Sequence, residues 1–346
     1  MEAVAADRRR EANASWFGAE AERLARLCGE MAERFARGGR LLATGDVSDA
    51  RHVAVEFVHP VIVGKRALPA LAVTARELEL LAGPDDMVIA FDAEPPETPA
   101  LVIELDPPED DRFIRQELVE TAYHVLWELV HVFLEHSERT VHDTGAASFL
   151  YPFLGEAATD HGAVVEDVRR SILMKAEEIG ALRAQTLTEN RATLLAAGEA
   201  LRGAGKILAL GNGGSATDAT DVVADLQAAG RPAIDLTGDP AILTAIANDV
   251  GVEAVFARQV IAYGERGDAL IALSTSGGSA NVIAALAEAR RRGLATIALV
   301  GYDGGRIAAE QLADHVVVTR SQHIPRIQEA QASAYHVLCE IARARE

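Results

Sequence analysis

The stretch LGNGGSATDATDVVADLQ (residues 210–227) runs from an apolar strand end, through a glycine-rich turn, into the start of a helix. A turn of this kind aims backbone N–H groups and a helix N-terminus at an anion. Residues 42–57, LATGDVSDARHVAVEF, follow the same plan with the glycines after Gly45 removed. Outward from these two stretches, the chain reads twice in the same order. GGRLLATG (38–45) answers AGKILALG (204–211), PALAVT (69–74) answers PAIDLT (232–237), and DDMVIAF (85–91) answers GDALIAL (267–273). QELVETAYHVLWE (116–128) answers QEAQASAYHVLCE (328–340), an identity too long for chance. Each copy opens with a helical pattern, at about 15–37 and 163–203, and then alternates short apolar strands with helices. That alternation predicts an α/β fold with a parallel sheet covered by helices on both faces. HDTGAASFLYPFLGEAATDHG (142–162) mixes small residues, Gly and Pro, and is expected to link a domain at 1–141 to one at 163–346.

Composition narrows the function. Of the 346 residues 49% are hydrophobic and 25% charged, as in a soluble globular protein. A net charge of −19 argues against nucleic acid as the main partner, because phosphate backbones need a basic surface. A small anionic metabolite is still compatible, since helix dipoles act locally against the global field. Cys28 and Cys339 fall in helical, apolar contexts and are expected to be reduced core thiols. No apolar run reaches the length of a membrane span, and the N-terminus lacks a secretory apolar core. A cytoplasmic protein is expected.

A second loop strengthens the anion reading. LSTSGGSANV (273–282) follows the strand DALIAL and begins another helix, placing Ser274, Thr275, Ser276 and Ser279 around two glycines. Hydroxyls and turn amides at the carboxyl end of a parallel strand make a pocket for a phosphate or sugar phosphate. Neither loop has Walker or GxGxxG spacing, so no nucleotide cofactor is expected. The first copy has lost such loops. From Thr74 to Asp86 is 12 residues, against 31 from Thr237 to Asp268.

The GNGGS turn, AIANDVG (245–251), STSGGSANV, VGYDGG (300–305) and RIQEA (326–330) together resemble the SIS (sugar isomerase) fold. More closely, they resemble the sedoheptulose-7-phosphate isomerases, or phosphoheptose isomerases. The resemblance covers about 163–346 closely and about 15–140 as a worn second copy. It implies two tandem SIS-type domains, doubly wound and flavodoxin-like, from a family of homotetramers; a homodimer of fused chains is therefore expected. It also implies that Asn212, Gly213, Gly214, Ser215, Asn248, Asp249, Ser274, Thr275, Ser276, Ser279 and Gln328 hold the substrate. The family's catalytic and zinc-binding positions are a His and a Glu four apart on the helix after GNGGS, joined by a Gln and a His eight apart on the last helix. The second copy departs from this, with Asp221 and Asp225 as the first pair beside Gln328 and His336. The first copy keeps all four types, as His52, Glu56, Gln116 and His124.

Aldose–ketose isomerisation passes through an enediol and needs a base at carbon, an acid at oxygen and polarisation of the carbonyl. A carboxylate and an imidazole suit these tasks, and a divalent metal can supply the polarisation. His52 and Glu56 share one helix face, and with Gln116 and His124 they can form a zinc or similar site. Glu56, His124, Asp225 and His336 are the expected acid and base groups, from either copy or from both. Asp225 is shorter than a glutamate by one carbon–carbon bond, roughly 1.5 Å. The rival expectation is a non-catalytic SIS module that binds a sugar phosphate and regulates a partner.

Overall fold

Short apolar runs build two parallel sheets. The computed structural model describes residues 2–60, 65–95, 97–138 and 161–343. The chain divides into two compact units, one Arg8–Gly180, the other Ala181–Glu346 with Met1–Asp7.

In the first unit, β1 (Leu41–Gly45), β2 (Ala70–Ala72), β3 (Met87–Phe91) and β4 (Leu101–Ile103) lie in the order β2-β1-β3-β4, all parallel. Its helices are α1 (Glu2–Ala36), α2 (Val47–Val58), α3 (Ala75–Leu81), α4 (Arg112–Glu138) and the first part of α5 (His161–Glu189). Alternate strand residues serve opposite faces, as a two-residue period requires. Leu41, Ala43, Met87 and Ile89 join Phe17, Leu24, Leu126 and Val130 in one core, whereas Leu42 and Val88 meet Leu78 of α3 in another. Val164, Val168 and Ile172 of α5 belong to the larger core. Their burial there carries the first unit as far as Gly180. The linker expected at 142–162 lies, up to residue 160, outside the described residues.

In the second unit, β5 (Ile207–Leu210), β6 (Ala233–Asp235), β7 (Ala269–Ser274), β8 (Ala295–Gly301) and β9 (His315–Thr319) take the order β6-β5-β7-β8-β9, again all parallel. The strand order reverses between β5 and β7, so the crevice for a ligand opens beyond their carboxyl ends. Around the sheet run α6 (Arg191–Gly203), α7 (Gly214–Ala228), α8 (Pro240–Asp249), α9 (Val255–Tyr263), α10 (Ala280–Arg292), α11 (Gly305–Ala309) and α12 (Ile324–Ala342). The helical pattern over 163–203 is not one helix, because Asn190 interrupts it. Its amide donates to the carbonyls of Thr186 (2.8 Å) and Val318 (2.9 Å), and its oxygen accepts from Val318 N–H (3.0 Å). That pairing ties the break to the edge strand β9.

Cys28 and Cys339 are buried and free, and burial pushes the Cys28 thiol far above its ordinary range. Among the described residues, no helix is long and apolar enough to cross a membrane.

Candidate functional site

The two loops of the second unit meet at the crevice. Gly213 caps α7 with φ 57° and ψ −128°, a backbone state that glycine alone adopts readily. Neither N-cap residue, Gly213 of α7 or Ser279 of α10, makes a side-chain cap hydrogen bond, although in α10 Val282 N–H donates to Asn281 Oδ1 at 3.0 Å. The first N–H groups of both helices, with their dipoles, therefore suit an anion. The loops are tied together by side chains. Asn212 donates to Asn281 Oδ1 at 3.0 Å, and Asn281 donates back to Asn212 Oδ1 at 2.9 Å. Segment 301–307 braces the serine loop, with Gly301 N–H on the Thr275 carbonyl (3.0 Å) and Ile307 N–H on the Gly277 carbonyl (2.9 Å). Ser274 Oγ lies 3.4 Å from Ser279 Oγ.

Further along α7, Asp221 and Asp225 stand one turn apart on the side facing α12. His336 Nε2 lies 3.6 Å from Asp221 Oδ2 and 3.8 Å from Asp225 Oδ2. The preceding residue, Tyr335, donates its hydroxyl to that same Asp221 oxygen at 2.7 Å. Helix α12 is buried from Pro325 to Cys339, so its polar residues, Gln328 and His336 among them, sit where apolar ones are the rule. With a rise of about 1.5 Å per residue, Asp221 and Asp225 lie roughly 9 and 15 Å beyond Ser215.

The first unit repeats this cluster with other residue types. His52 Nε2 lies 3.8 Å from Glu56 Oε1, and the rings of His52 and His124 pack edge to face at 5.1 Å. Tyr123, which precedes His124, shares a hydrogen bond of 3.1 Å with His52 Nδ1. Burial, and then the His124 imidazole, lower the His52 pKa well below the ordinary histidine value. The phosphate-loop position differs. There Asp46 caps α2, its carboxylate accepting from Ser48 N–H (2.8 Å) and Asp49 N–H (3.2 Å). A carboxylate of the chain itself thus occupies the helix end that a glycine caps in the second unit.

Among the described residues, each unit holds a donor set with spacing that suits a divalent metal. Each of the trios His52, Glu56, His124 and Asp221, Asp225, His336 has one ligand atom per residue within 4.8 Å of the others. Neighbouring ligands of a tetrahedral ion with bonds of about 2.1 Å stand about 3.4 Å apart, close to the separations seen here. Gln116 is half-buried and, with Asp49 and Phe91, lines a cavity of about 560 Å³ beyond the ends of β3 and β4. Asn248 and Asp249 end α8 in an exposed position, bonded to each other at 2.8 Å.

Three participants escape a reading of the motifs alone: Tyr335, Tyr123 and Asn281. Both tyrosines sit in the repeated AYHVL, and Asn281 in STSGGSANV, so the signal was present without a role attached.

Similarity to known proteins follows the same division. Residues 176–301 match the SIS domain family. The chain is 48% identical over 149 residues to the phosphoheptose isomerase of a Nitratiruptor species, covering 41% of this chain and 79% of that protein. It is 37% identical over 184 residues to the phosphoheptose isomerase of a Geobacter species, covering 51% and 95%. The C-terminal domain of glucosamine-fructose-6-phosphate aminotransferase from Francisella tularensis superposes with a TM-score of 0.61 at 10% identity, covering 98% of this chain and 94% of that one. That last likeness bears on the fold alone, and it spans both units: the architecture is two tandem SIS-type domains.

Proposed function

The chain belongs to the phosphoheptose isomerase family of SIS-domain proteins, and on that premise we propose that it interconverts a ketose phosphate and an aldose phosphate of the sedoheptulose 7-phosphate type. The reaction is assigned to the second unit. The observation that carries it is the pairing on α7 of an anion-ready N-terminus with Asp221 and Asp225 facing His336. The spacing along α7 suits an open-chain sugar with phosphate at one end and reacting carbons at the other. Backbone N–H groups of Asn212, Gly213, Gly214 and Ser215 and the hydroxyls of Ser274, Thr275, Ser276 and Ser279 hold the phosphate and neighbouring oxygens. Gln328, Asn248 and Asp249 contact the sugar, as the family resemblance implies.

Asp225 takes the proton from the carbon beside the carbonyl, and His336 gives one to the carbonyl oxygen, forming the enediol. Return of a proton to the neighbouring carbon, with loss of one from the other oxygen, completes the exchange. Asp221 orients His336. Because Asp225 and His336 move protons here, a divalent metal, zinc by the imidazole-rich donor set, is assigned to His52, Glu56 and His124 of the first unit, with Gln116 the further donor that the resemblance implies. When bound there it would tie α2 to α4. Glu56 and His124 are then metal ligands rather than the working acid and base.

A non-catalytic sugar-phosphate sensor is the second reading, favoured by the short reach of Asp225. Incubating the purified protein with sedoheptulose 7-phosphate and resolving the aldose product decides between them. Product formation is expected; tight binding with no product would leave the sensor. Replacing Ser276 and Ser279 with alanine should weaken sugar-phosphate binding by about 1.5–3 kcal/mol for each hydroxyl taken from the charged group. Unchanged affinity by calorimetry would move the phosphate elsewhere.

A further inference from the structure

We infer that Tyr335 is a positioning residue for the reaction, acting through Asp221; the inference rests on the isomerase activity proposed above. Tyr335 is 1% exposed, and its hydroxyl donates at 2.7 Å to the one Asp221 oxygen that faces His336 Nε2. Tyr335 and His336 are neighbours on α12 and pack edge to face with ring centroids 4.7 Å apart. A single stretch of helix thus fixes both the imidazole and the carboxylate that steers it.

The first unit argues that the tyrosine is there for the group it holds. Tyr123 makes the matching contact to His52 and packs against His124 at 5.1 Å, although His52 stands where the second unit has Asp221. A phenol hydroxyl both donates and accepts, so it serves an imidazole or a carboxylate equally well. The held residue differs between the copies, but its holder does not.

The consequence concerns the 3.6 Å gap between Asp221 and His336. At that distance the carboxylate orients the ring by charge without taking the Nε2 proton into a direct hydrogen bond. With the tyrosine hydroxyl removed, that oxygen has one donor fewer, and the carboxylate is free to close on Nε2. A direct bond there would compete with the substrate oxygen for the proton.

Tyr335→Phe tests this, since it deletes the hydroxyl and keeps the buried ring. The expected result with sedoheptulose 7-phosphate is a fall in kcat of about tenfold to a hundredfold, the span of a hydrogen bond to a charged group. KM and phosphate affinity should hold, because the anion loops are untouched. In an Asp221→Ala background the same change should add almost nothing, since residues acting through one another are not additive. Wild-type kcat in Tyr335→Phe, or a full additional loss in the double variant, would overturn the inference and leave the isomerase standing. A wild-type protein that binds the sugar phosphate without turnover would instead remove the activity, and with it any reaction for Tyr335 to serve.

Discussion

Replacing His336 with alanine is expected to lower turnover of the sugar phosphate by at least about a hundredfold, the usual scale for losing a general acid or base. The group is 1% exposed and faces both α7 carboxylates through one ring nitrogen. In the proposed mechanism its removal strips the enediol step of its proton donor. It also leaves Asp221 and Asp225 close together with no imidazole between them. Binding should be spared, because the proposed phosphate site at 211–215 and 275–279 is built from backbone N–H groups and hydroxyls that the change leaves untouched. A loss in kcat with KM retained is therefore the expected signature of an interaction made in the transition state. His336→Gln guards against a trivial packing defect, since it restores much of the side-chain volume without a group that exchanges protons near neutral pH. Should both variants keep wild-type kcat, catalysis does not pass through α12, and Asp225 has no acid partner there.

Much of this fold was legible because its signals are local. The alternation of apolar runs with helical patterns, and the repetition of those runs, led to two parallel sheets before any geometry was known. The break at Asn190 was not legible, because its cause is a pairing with Val318, far away in the chain. The glycines are similarly divided. Gly45 survives in the worn copy although the rest of its glycine loop is gone, and the reason is packing rather than ligand. A Cβ on Gly45 would sit 1.9 Å from the Phe91 carbonyl oxygen, and one on Gly211 would sit 2.1 Å from that of Ser215. These two glycines allow close backbone approach, whereas Gly213 and Gly214 shape the anion turn. The first unit lacks the latter pair, and there Asp46 caps α2 with a carboxylate. The candidate site was half-legible. The family resemblance singled out Asp225, His336, His52, Glu56 and His124 as candidates, and the structure brings them together within each unit, but a hydroxyl reaching from one helix to another leaves no spacing to read, so neither tyrosine stood out.

Protein purified without chelator is expected to carry a divalent metal in the first unit, and His52→Ala or His124→Ala to lose it. His52, Glu56 and His124 are each at most 3% exposed. Burial, with the neighbouring His124, lowers the His52 pKa, so its ring is neutral at pH 7 and keeps a lone pair for a metal. The Tyr123 contact at Nδ1 turns Nε2 toward Glu56, the kind of outer hydrogen bond that orients a ligand histidine. Acid sensitivity alone cannot reveal the metal. A histidine whose folded pKa lies below its unfolded value of about 6.5 costs stability as pH falls below that value, because the unfolded chain takes up the proton first. Metal loss on protonation of the same ligands has the same sign. Elemental analysis and thermal unfolding with added zinc separate the two causes. The wild type should gain stability by about 2.7 kcal/mol at a free metal concentration a hundred times the dissociation constant, and either alanine variant should gain none. If the wild type carries no metal, or both variants retain it, the trio joins α2 to α4 by hydrogen bonds and packing alone. The His52–Glu56–His124 set would then persist because removing any one member leaves a buried polar group without its partner, which typically costs about 1–3 kcal/mol.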